Sequence, residues 1–229
     1  MLSENELKNI KKGLEALKNS VSLILFTDFK INDEGSKIRK CMMCNGTVNL
    51  LEILAENSKG KLKIEEFSTE EYPEITKKYN ITKVPTILFL DDNENVIIRY
   101  VASPTGSELP PFIETLKYFS GVSSFYKDAI MTSIKNIKKS TIKLFITLTC
   151  PYCPTVVPIL NLIAILSKGK VSVEIIDINM NPDMASKYNV QGVPYTTIND
   201  KDHLIGMFTP QDLLEKLTKG KRDYEGMYS

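Results

Sequence analysis

The sequence lacks tryptophan, has a single histidine (His203), and carries almost no net charge, with 29 Lys and Arg against 28 Asp and Glu. A nucleic-acid-binding surface needs clustered excess Lys and Arg, so this balance argues against one. No apolar run approaches the roughly 18 residues that would span a bilayer. The first ten residues, MLSENELKNI, lack the basic and apolar segments of a secretory signal. We therefore expect a cytoplasmic protein that binds neither nucleic acid nor membrane.

Glycine and proline are also scarce, at 11 residues each, which excludes a disordered or fibrous chain. A length of 229 residues permits one large domain or two small ones. The lone His203 is predicted to be a solvated residue of a hairpin turn, so catalysis by a Ser/His or Cys/His pair is not indicated.

Four cysteines are present, and they form two CxxC pairs, Cys41 with Cys44 and Cys150 with Cys153. The two pairs are 109 positions apart, and three further landmarks repeat at the same offset. These are Gly60 and Gly169, Tyr79-Asn80 and Tyr188-Asn189, and Val84-Pro85 and Val193-Pro194. The chain is therefore predicted to be a tandem duplication, with units at residues 1–120 and 121–229.

The first unit has about ten additional residues before its CxxC pair, because Leu25-Phe26 and Leu144-Phe145 are 119 positions apart. The additional residues belong to the polar stretch 28–40, which is interpreted as a loop insertion. Elsewhere both units show the order α-β-α-β-α-β-β-α. This order predicts an α/β fold in which each unit has a central mixed four-stranded sheet flanked by helices.

The CxxC spacing indicates redox chemistry at the start of a helix. A thiolate is the reactive form of cysteine, yet only about 3% of a free cysteine is ionised at pH 7. Unpaired N–H groups at a helix N-terminus increase that fraction, and we expect Cys41 and Cys150 there, with Pro151 as the first helical residue. A spacing of three returns Cys44 and Cys153 to the same helical face, within disulfide reach.

Other roles for the cysteines are less well supported. A four-residue disulfide loop stabilises a protein by only about 2 kcal/mol, so CxxC is a poor structural crosslink. A zinc site made of all four cysteines would need the pairs roughly 15–20 residues apart, and here they belong to separate units. No cofactor and no resident metal are expected.

The element order, with CxxC after the first strand and Val-Pro before the third, resembles the thioredoxin fold. The second motif, CPYC, is typical of glutaredoxins, whereas the first, CMMC, is unusual. Two such units in one chain resemble the glutaredoxin-like protein disulfide oxidoreductases of hyperthermophiles. Neither unit has the buried acid that thioredoxins carry on the first strand, since Leu25 and Leu144 occupy that position.

The resemblance implies that Pro85 and Pro194 are cis prolines beside the cysteines. The backbone at Val84 and Val193 would then pair with an extended substrate peptide. Tyr152 is a further candidate for substrate contact, with an exposed rim residue as the alternative.

The function that the resemblance implies is thiol–disulfide exchange on protein disulfides, catalysed by the four cysteines. A flavin-dependent thioredoxin reductase is the implied electron donor. Two alternatives remain open. The chain could be a dedicated electron carrier between a flavin disulfide reductase and a peroxidase, or a peptide-binding chaperone with vestigial CxxC pairs.

Overall fold

The computed structural model describes residues 4–219, so the outer ends of the two predicted units, residues 1–3 and 220–229, lie outside the described residues. The first unit contains α1 (Glu4–Glu15), β1 (Val21–Thr27), β2 (Lys30–Ile31), β3 (Lys37–Ile38), α2 (Cys44–Glu56), β4 (Leu62–Ser68), α3 (Pro73–Lys78), β5 (Thr86–Leu90), β6 (Val96–Val101) and α4 (Leu109–Phe119). A single 3-10 turn, Gly106–Glu108, precedes α4.

The second unit repeats this order without the small hairpin β2–β3. It contains α5 (Lys127–Ser133), β7 (Ser140–Ile146), α6 (Cys153–Leu166), β8 (Val171–Asp177), α7 (Pro182–Lys187), β9 (Tyr195–Ile198), β10 (Asp202–Ile205) and α8 (Pro210–Thr218). Strands β1 and β7, which lead to the two CxxC pairs, have the same pattern of buried and exposed residues along their seven positions. Both are nearly all apolar, as expected for strands covered on both faces.

The eight long strands form one continuous sheet, in the order β10-β9-β7-β8-β6-β5-β1-β4. Each unit supplies four strands, as predicted, but the two sheets are not separate. Strand β6 of the first unit pairs in parallel with β8 of the second, with Ile98 opposite Val173 and Val101 opposite Ile176. Both edges are apolar and buried, so pairing them removes two exposed sheet edges.

This arrangement places the two CxxC pairs on the same side of the molecule. Strand β1 is antiparallel to β5, β5 is antiparallel to β6, and β6, β8 and β7 are mutually parallel. Strands β1 and β7 therefore point the same way, and both CxxC pairs follow the same edge of the sheet. They are four strand spacings apart, which is about 19 Å along the sheet before twist.

The polar insertion is not the open loop that its composition predicts. Strands β2 and β3 form a short antiparallel hairpin, with Lys30 opposite Ile38. The Asn32 side chain accepts hydrogen bonds from the backbone N–H groups of Glu34 and Ser36, and Gly35 adopts a positive φ of 77° in the turn. Two paired residues per strand are too few for an alternating pattern to be visible in the sequence.

The hairpin β9–β10 also differs slightly from its prediction. His203 lies in strand β10 rather than in the turn; it is exposed and stacks on the ring of Tyr195. Among residues 4–219, none of the helices has the length and apolar character needed to cross a membrane.

Candidate active site

Each CxxC pair is a disulfide, with Cα atoms 5.3 Å apart in Cys41–Cys44 and 5.6 Å apart in Cys150–Cys153. Helix α2 begins at Cys44 and helix α6 begins at Cys153. Cys41 and Cys150 thus lie one turn before the helix, and the prediction that they occupy its first turn is corrected by that amount. The proline in the first turn of α6 is consequently Pro154, and Pro151 precedes the helix.

Within each pair the first cysteine is the more accessible one. Cys44 and Cys153 are fully buried, whereas Cys41 is partly exposed and Cys150 retains 5% of its surface. The first cysteine of each pair is therefore the one that an incoming disulfide can reach. The second is positioned to react only with its neighbour.

The start of α6 acts directly on the outer sulfur of the second pair. The backbone N–H of Cys153 points at Cys150 Sγ, at an N–S distance of 3.0 Å. Such an unpaired helical N–H carries the positive end of the helix dipole. It favours a negative charge on Cys150 Sγ once the disulfide is reduced.

Both predicted proline bonds, Val84-Pro85 and Val193-Pro194, are cis, as the resemblance implied. The carbonyl oxygen of Val84 lies 3.5 Å from Cys41 Sγ, and that of Val193 lies 3.9 Å from Cys150 Sγ. The structure therefore brings each predicted Val-Pro pair against the outer sulfur of its own unit.

One exposed side chain between the cysteines of each motif forms the rim of that site. Met42 is 85% exposed and Tyr152 is 55% exposed. Large apolar side chains rarely remain so open beside a reactive group unless they meet another molecule. Both are available to contact a polypeptide at the disulfide.

An acid that the sequence pattern does not reveal lies beside the first pair. Asp28 Oδ2 accepts a hydrogen bond of 2.8 Å from the Cys41 backbone N–H. A carboxylate oxygen of Asp28 and the sulfurs of Cys41 and Cys44 all lie within 4.8 Å of one another. The other oxygen, Oδ1, is buried without a hydrogen-bond partner among the described residues. Thr147 occupies the corresponding position of the second unit.

A second unexpected acid, Glu108, lies in the turn that leads to α4 and approaches the second pair. Its side chain is fully buried, and neither carboxylate oxygen has a hydrogen-bond partner among the described residues. Burial, and then the nearby charge of Asp177, raise the pKa of Glu108 to about 7. Ser107 donates from its N–H and its hydroxyl to the carbonyl of Leu148, at 3.0 and 2.8 Å, which ties this turn to the loop before Cys150.

Glu108 could not be found by comparing the two sequence copies. It belongs to the first unit, but its turn is bonded to the loop of the second unit's site. A residue that serves the neighbouring unit leaves no signal in the repeat.

The fold and the two sites define a chain of two thioredoxin-like units, each with a disulfide at the start of its second helix and a cis proline beside it. Residues 140–219 match the family model described as thioredoxin domain. The chain is similar over 95% of its length, with a TM-score of 0.80 and 22% identity, to the whole solved NTD_N/C domain of alkylhydroperoxide reductase AhpF from Enterococcus faecalis. It is also similar over 99% of its length, with a TM-score of 0.75 and 24% identity, to 97% of a protein disulfide oxidoreductase from Aeropyrum pernix.

Among curated proteins, the chain is 26% identical over 180 residues to the alkyl hydroperoxide reductase AhpF of Staphylococcus aureus, which covers 76% of this chain and 35% of that protein. The chain spans between 28% and 38% of the length of the curated relatives it matches. At these identities the solved structures establish the fold, and the two CxxC pairs carry the chemistry.

Proposed function

We propose that the chain is a thiol–disulfide oxidoreductase that reduces, forms or isomerises protein disulfides through Cys41–Cys44 and Cys150–Cys153. The observation that carries this proposal is the same at both sites. A disulfide at the start of a helix has an accessible outer sulfur, a buried inner sulfur and a backbone carbonyl of the cis-proline segment within 4 Å.

The reaction runs through a mixed disulfide. In the reduced second site, the Cys150 thiolate attacks one sulfur of a substrate disulfide, and the other substrate sulfur leaves as a thiolate and takes up a proton. Cys153 then loses its proton and attacks Cys150 Sγ, which expels the remaining substrate sulfur. Two electrons have passed to the substrate, and Cys150–Cys153 is a disulfide again. The reverse sequence forms a disulfide in the substrate.

Substrate binding is assigned to the segments that border the sulfurs. Val84 and Val193, each followed by its cis proline Pro85 or Pro194, present backbone groups with which an extended peptide can pair. Tyr152 supplies an exposed apolar surface at the second site. Affinity would come from main-chain hydrogen bonds and from this surface, so a broad range of sequences would be accepted.

Two buried acids can take the proton that the inner cysteine must lose. Asp28 lies within 4.8 Å of both sulfurs of the first pair. Glu108 is buried, and its pKa of about 7 allows it to accept and return a proton near neutral pH. The turn that carries Glu108 is hydrogen-bonded to the loop before Cys150. We assign Asp28 to the first site and Glu108 to the second.

The organisation, location and partners of the protein complete the proposal. The two units are residues 1–120 and 121–229, and the protein acts in the cytoplasm. Its partners are protein disulfides and a flavin-dependent reductase that supplies electrons. The similarity to alkyl hydroperoxide reductase AhpF favours a second candidate, a carrier that passes electrons from a flavin centre to one peroxidase.

The test is reduction of insulin disulfides by a small dithiol, catalysed by four forms of the full chain. These are the wild type, Cys41→Ser with Cys44→Ser, Cys150→Ser with Cys153→Ser, and the quadruple variant. We expect each double variant to lose part of the activity and the quadruple variant to lose all of it. Unchanged insulin reduction by the quadruple variant would refute the proposal. Turnover with a reductase–peroxidase pair but none with insulin would select the electron carrier.

A further inference from the structure

The first site contains three anionic donors that the exchange reaction alone does not require together. They are the two sulfurs of Cys41 and Cys44 and a carboxylate oxygen of Asp28, all within 4.8 Å of one another. In a tetrahedral zinc site, with Zn–S bonds near 2.3 Å and Zn–O bonds near 2.1 Å, neighbouring donor atoms are roughly 3.5–4 Å apart. The three donors therefore need to close by only about an ångström to surround one ion.

The Asp28 carboxylate has a free position directed at this group. Its Oδ2 holds the Cys41 N–H, which fixes the orientation of the side chain. Its Oδ1 is buried and has no hydrogen-bond partner among the described residues, although a buried acceptor without a partner is costly. A bound cation would satisfy it.

The charge at the site is also suited to a divalent ion. Two thiolates and a carboxylate carry three negative charges, and a divalent ion would leave one. Arg39 lies within electrostatic range of Asp28, and its guanidinium is otherwise hydrogen-bonded to Glu66 and Asn45. Thiolate donors select zinc and similar thiophilic ions over magnesium and calcium, which prefer oxygen donors.

We propose that the reduced first site binds one zinc-class divalent ion through Cys41, Cys44 and Asp28. The site is closed in the oxidised protein, because the sulfurs are bonded to each other. A dithiol reductant supplies two electrons and two protons that convert Cys41–Cys44 to two thiols, and the reductant becomes a disulfide. Zinc then replaces the two thiol protons, which are released to solvent. The metal occupies the nucleophilic sulfur, so exchange at this site stops while the metal is bound.

The second site provides an internal comparison. It has the same CxxC spacing and the same helix start, but Thr147 stands where the first unit has Asp28. Among the described residues, Asp28 with Cys41 and Cys44 is the one group of three such donors within this distance. The difference between the two sites is therefore the carboxylate, and only the first site should bind the ion tightly.

Zinc binding at the first site does not depend on the proposed function, since it needs only that a chemical reductant opens Cys41–Cys44. The test uses fully reduced full-length protein under anaerobic conditions, with zinc affinity measured by competition against a chromophoric chelator. Two parent proteins are compared. One keeps only the first site, through Cys150→Ser and Cys153→Ser, and the other keeps only the second, through Cys41→Ser and Cys44→Ser.

We expect the first-site protein to bind one zinc ion at least tenfold more tightly than the second-site protein, and its oxidised form to bind none. Adding Asp28→Asn to the first-site protein should weaken binding at least tenfold. The matched control is Asp33→Asn, an exposed carboxylate in the same insertion, which should change nothing. Cobalt substitution should give a thiolate-to-metal charge-transfer band in the first-site protein.

Equal zinc affinity of the two reduced sites would overturn the inference, because it would reduce the observation to chelation by any CxxC pair. An Asp28→Asn variant that binds zinc as tightly as its parent would also overturn it. If Asp28→Asn fails to fold, as seen by circular dichroism of the oxidised form, the comparison of the two parents decides, since it leaves Asp28 intact. Loss of insulin reduction without loss of zinc binding would refute only the proposed function.

Discussion

Asn161, in the middle of helix α6, donates a hydrogen bond of 2.9 Å to the hydroxyl of Tyr100 on strand β6 of the other unit. The same amide donates to Thr115 Oγ1 on α4, also at 2.9 Å. All three side chains are fully buried. The helix that begins with the second CxxC pair is thus joined through its core to the first unit, and the parallel pairing of β6 with β8 continues the connection into the sheet.

Because the two units share a sheet and a buried polar network, we expect the chain to unfold in one step. Replacing Asn161 with Ala leaves two buried hydroxyls short of a partner and opens a cavity, at a cost of about 2–4 kcal/mol in the free energy of unfolding. Urea unfolding should show far-ultraviolet circular dichroism and tyrosine fluorescence changing together, in the wild type and in Asn161→Ala. The control Asn179→Ala, at an exposed asparagine, should change stability by less than about 0.5 kcal/mol. Two separate transitions in the wild type would show that the units fold independently.

Glu66 predicts an acid-sensitive link between the insertion hairpin and the sheet. Burial alone would raise its pKa, but hydrogen bonds from Arg39, Thr27 and Lys37 lower the pKa of Glu66 to about 2. A lowered carboxylate pKa stabilises the folded state above the ordinary value of 4.5, and this stability is lost as pH falls toward 2.

Glu66→Gln should therefore lower the free energy of unfolding by about 2–3 kcal/mol at pH 7, with the difference vanishing near pH 2. Its neighbour Glu65, an exposed residue of the same strand, is the matched control, and Glu65→Gln should have little effect. Denaturant unfolding at several pH values makes the measurement. A penalty that is the same at pH 2 and pH 7 would show that the ion pair is not its source.

Glu108 predicts the opposite pH dependence. Burial, followed by the charge of Asp177, raises the pKa of Glu108 to about 7. A raised carboxylate pKa means that folding favours the protonated form. The associated stability is fully present below pH 4.5 and is lost as pH rises through 7.

Glu108→Gln keeps a neutral side chain of similar shape, so it should match the wild type near pH 4. At pH 8 it should be more stable by about 2–3 kcal/mol, since it avoids the buried charge. Glu114→Gln is the control, because Glu114 is a half-exposed carboxylate on the following helix, paired with Lys117. A variant that is less stable than the wild type at pH 8 would contradict the assigned environment.

The repeat made much of the fold predictable from the sequence. Strands β1, β5, β6 and β9 have the predicted bounds, because each is a short apolar segment limited by turn residues. Strand β10 begins at Asp202, two residues before its predicted start at Leu204. Asn199 and Asp200 both adopt positive φ and form a tight turn, so pairing resumes earlier than the apolar pattern suggests.

Features that depend on contacts between the units were not predictable. The pairing of β6 with β8 joins two edges whose sequences state only that they are buried. Asp28 and Glu108 reach their sites from an insertion and from the neighbouring unit, so neither occupies the strand position at which thioredoxins carry an acid. Periodicity within one unit describes what each segment buries, and it carries no information on which other segment buries it.

The two sites should also differ in redox potential. At the second site a helical N–H at 3.0 Å stabilises the thiolate of Cys150, which favours the reduced form. At the first site the Asp28 carboxylate lies beside both sulfurs and disfavours the reduced form. The second pair should therefore be the easier one to reduce.

The decisive experiment is a titration of each pair against dithiol redox buffers in the two single-site proteins and the wild type, with free thiols counted by alkylation and mass spectrometry. We predict two independent two-electron transitions, with Cys150–Cys153 at the higher potential by at least about 30 mV, equivalent to about 1.4 kcal/mol. A pair that cannot be reduced, or a first site with the higher potential, would show that the proposed exchange chemistry is wrong.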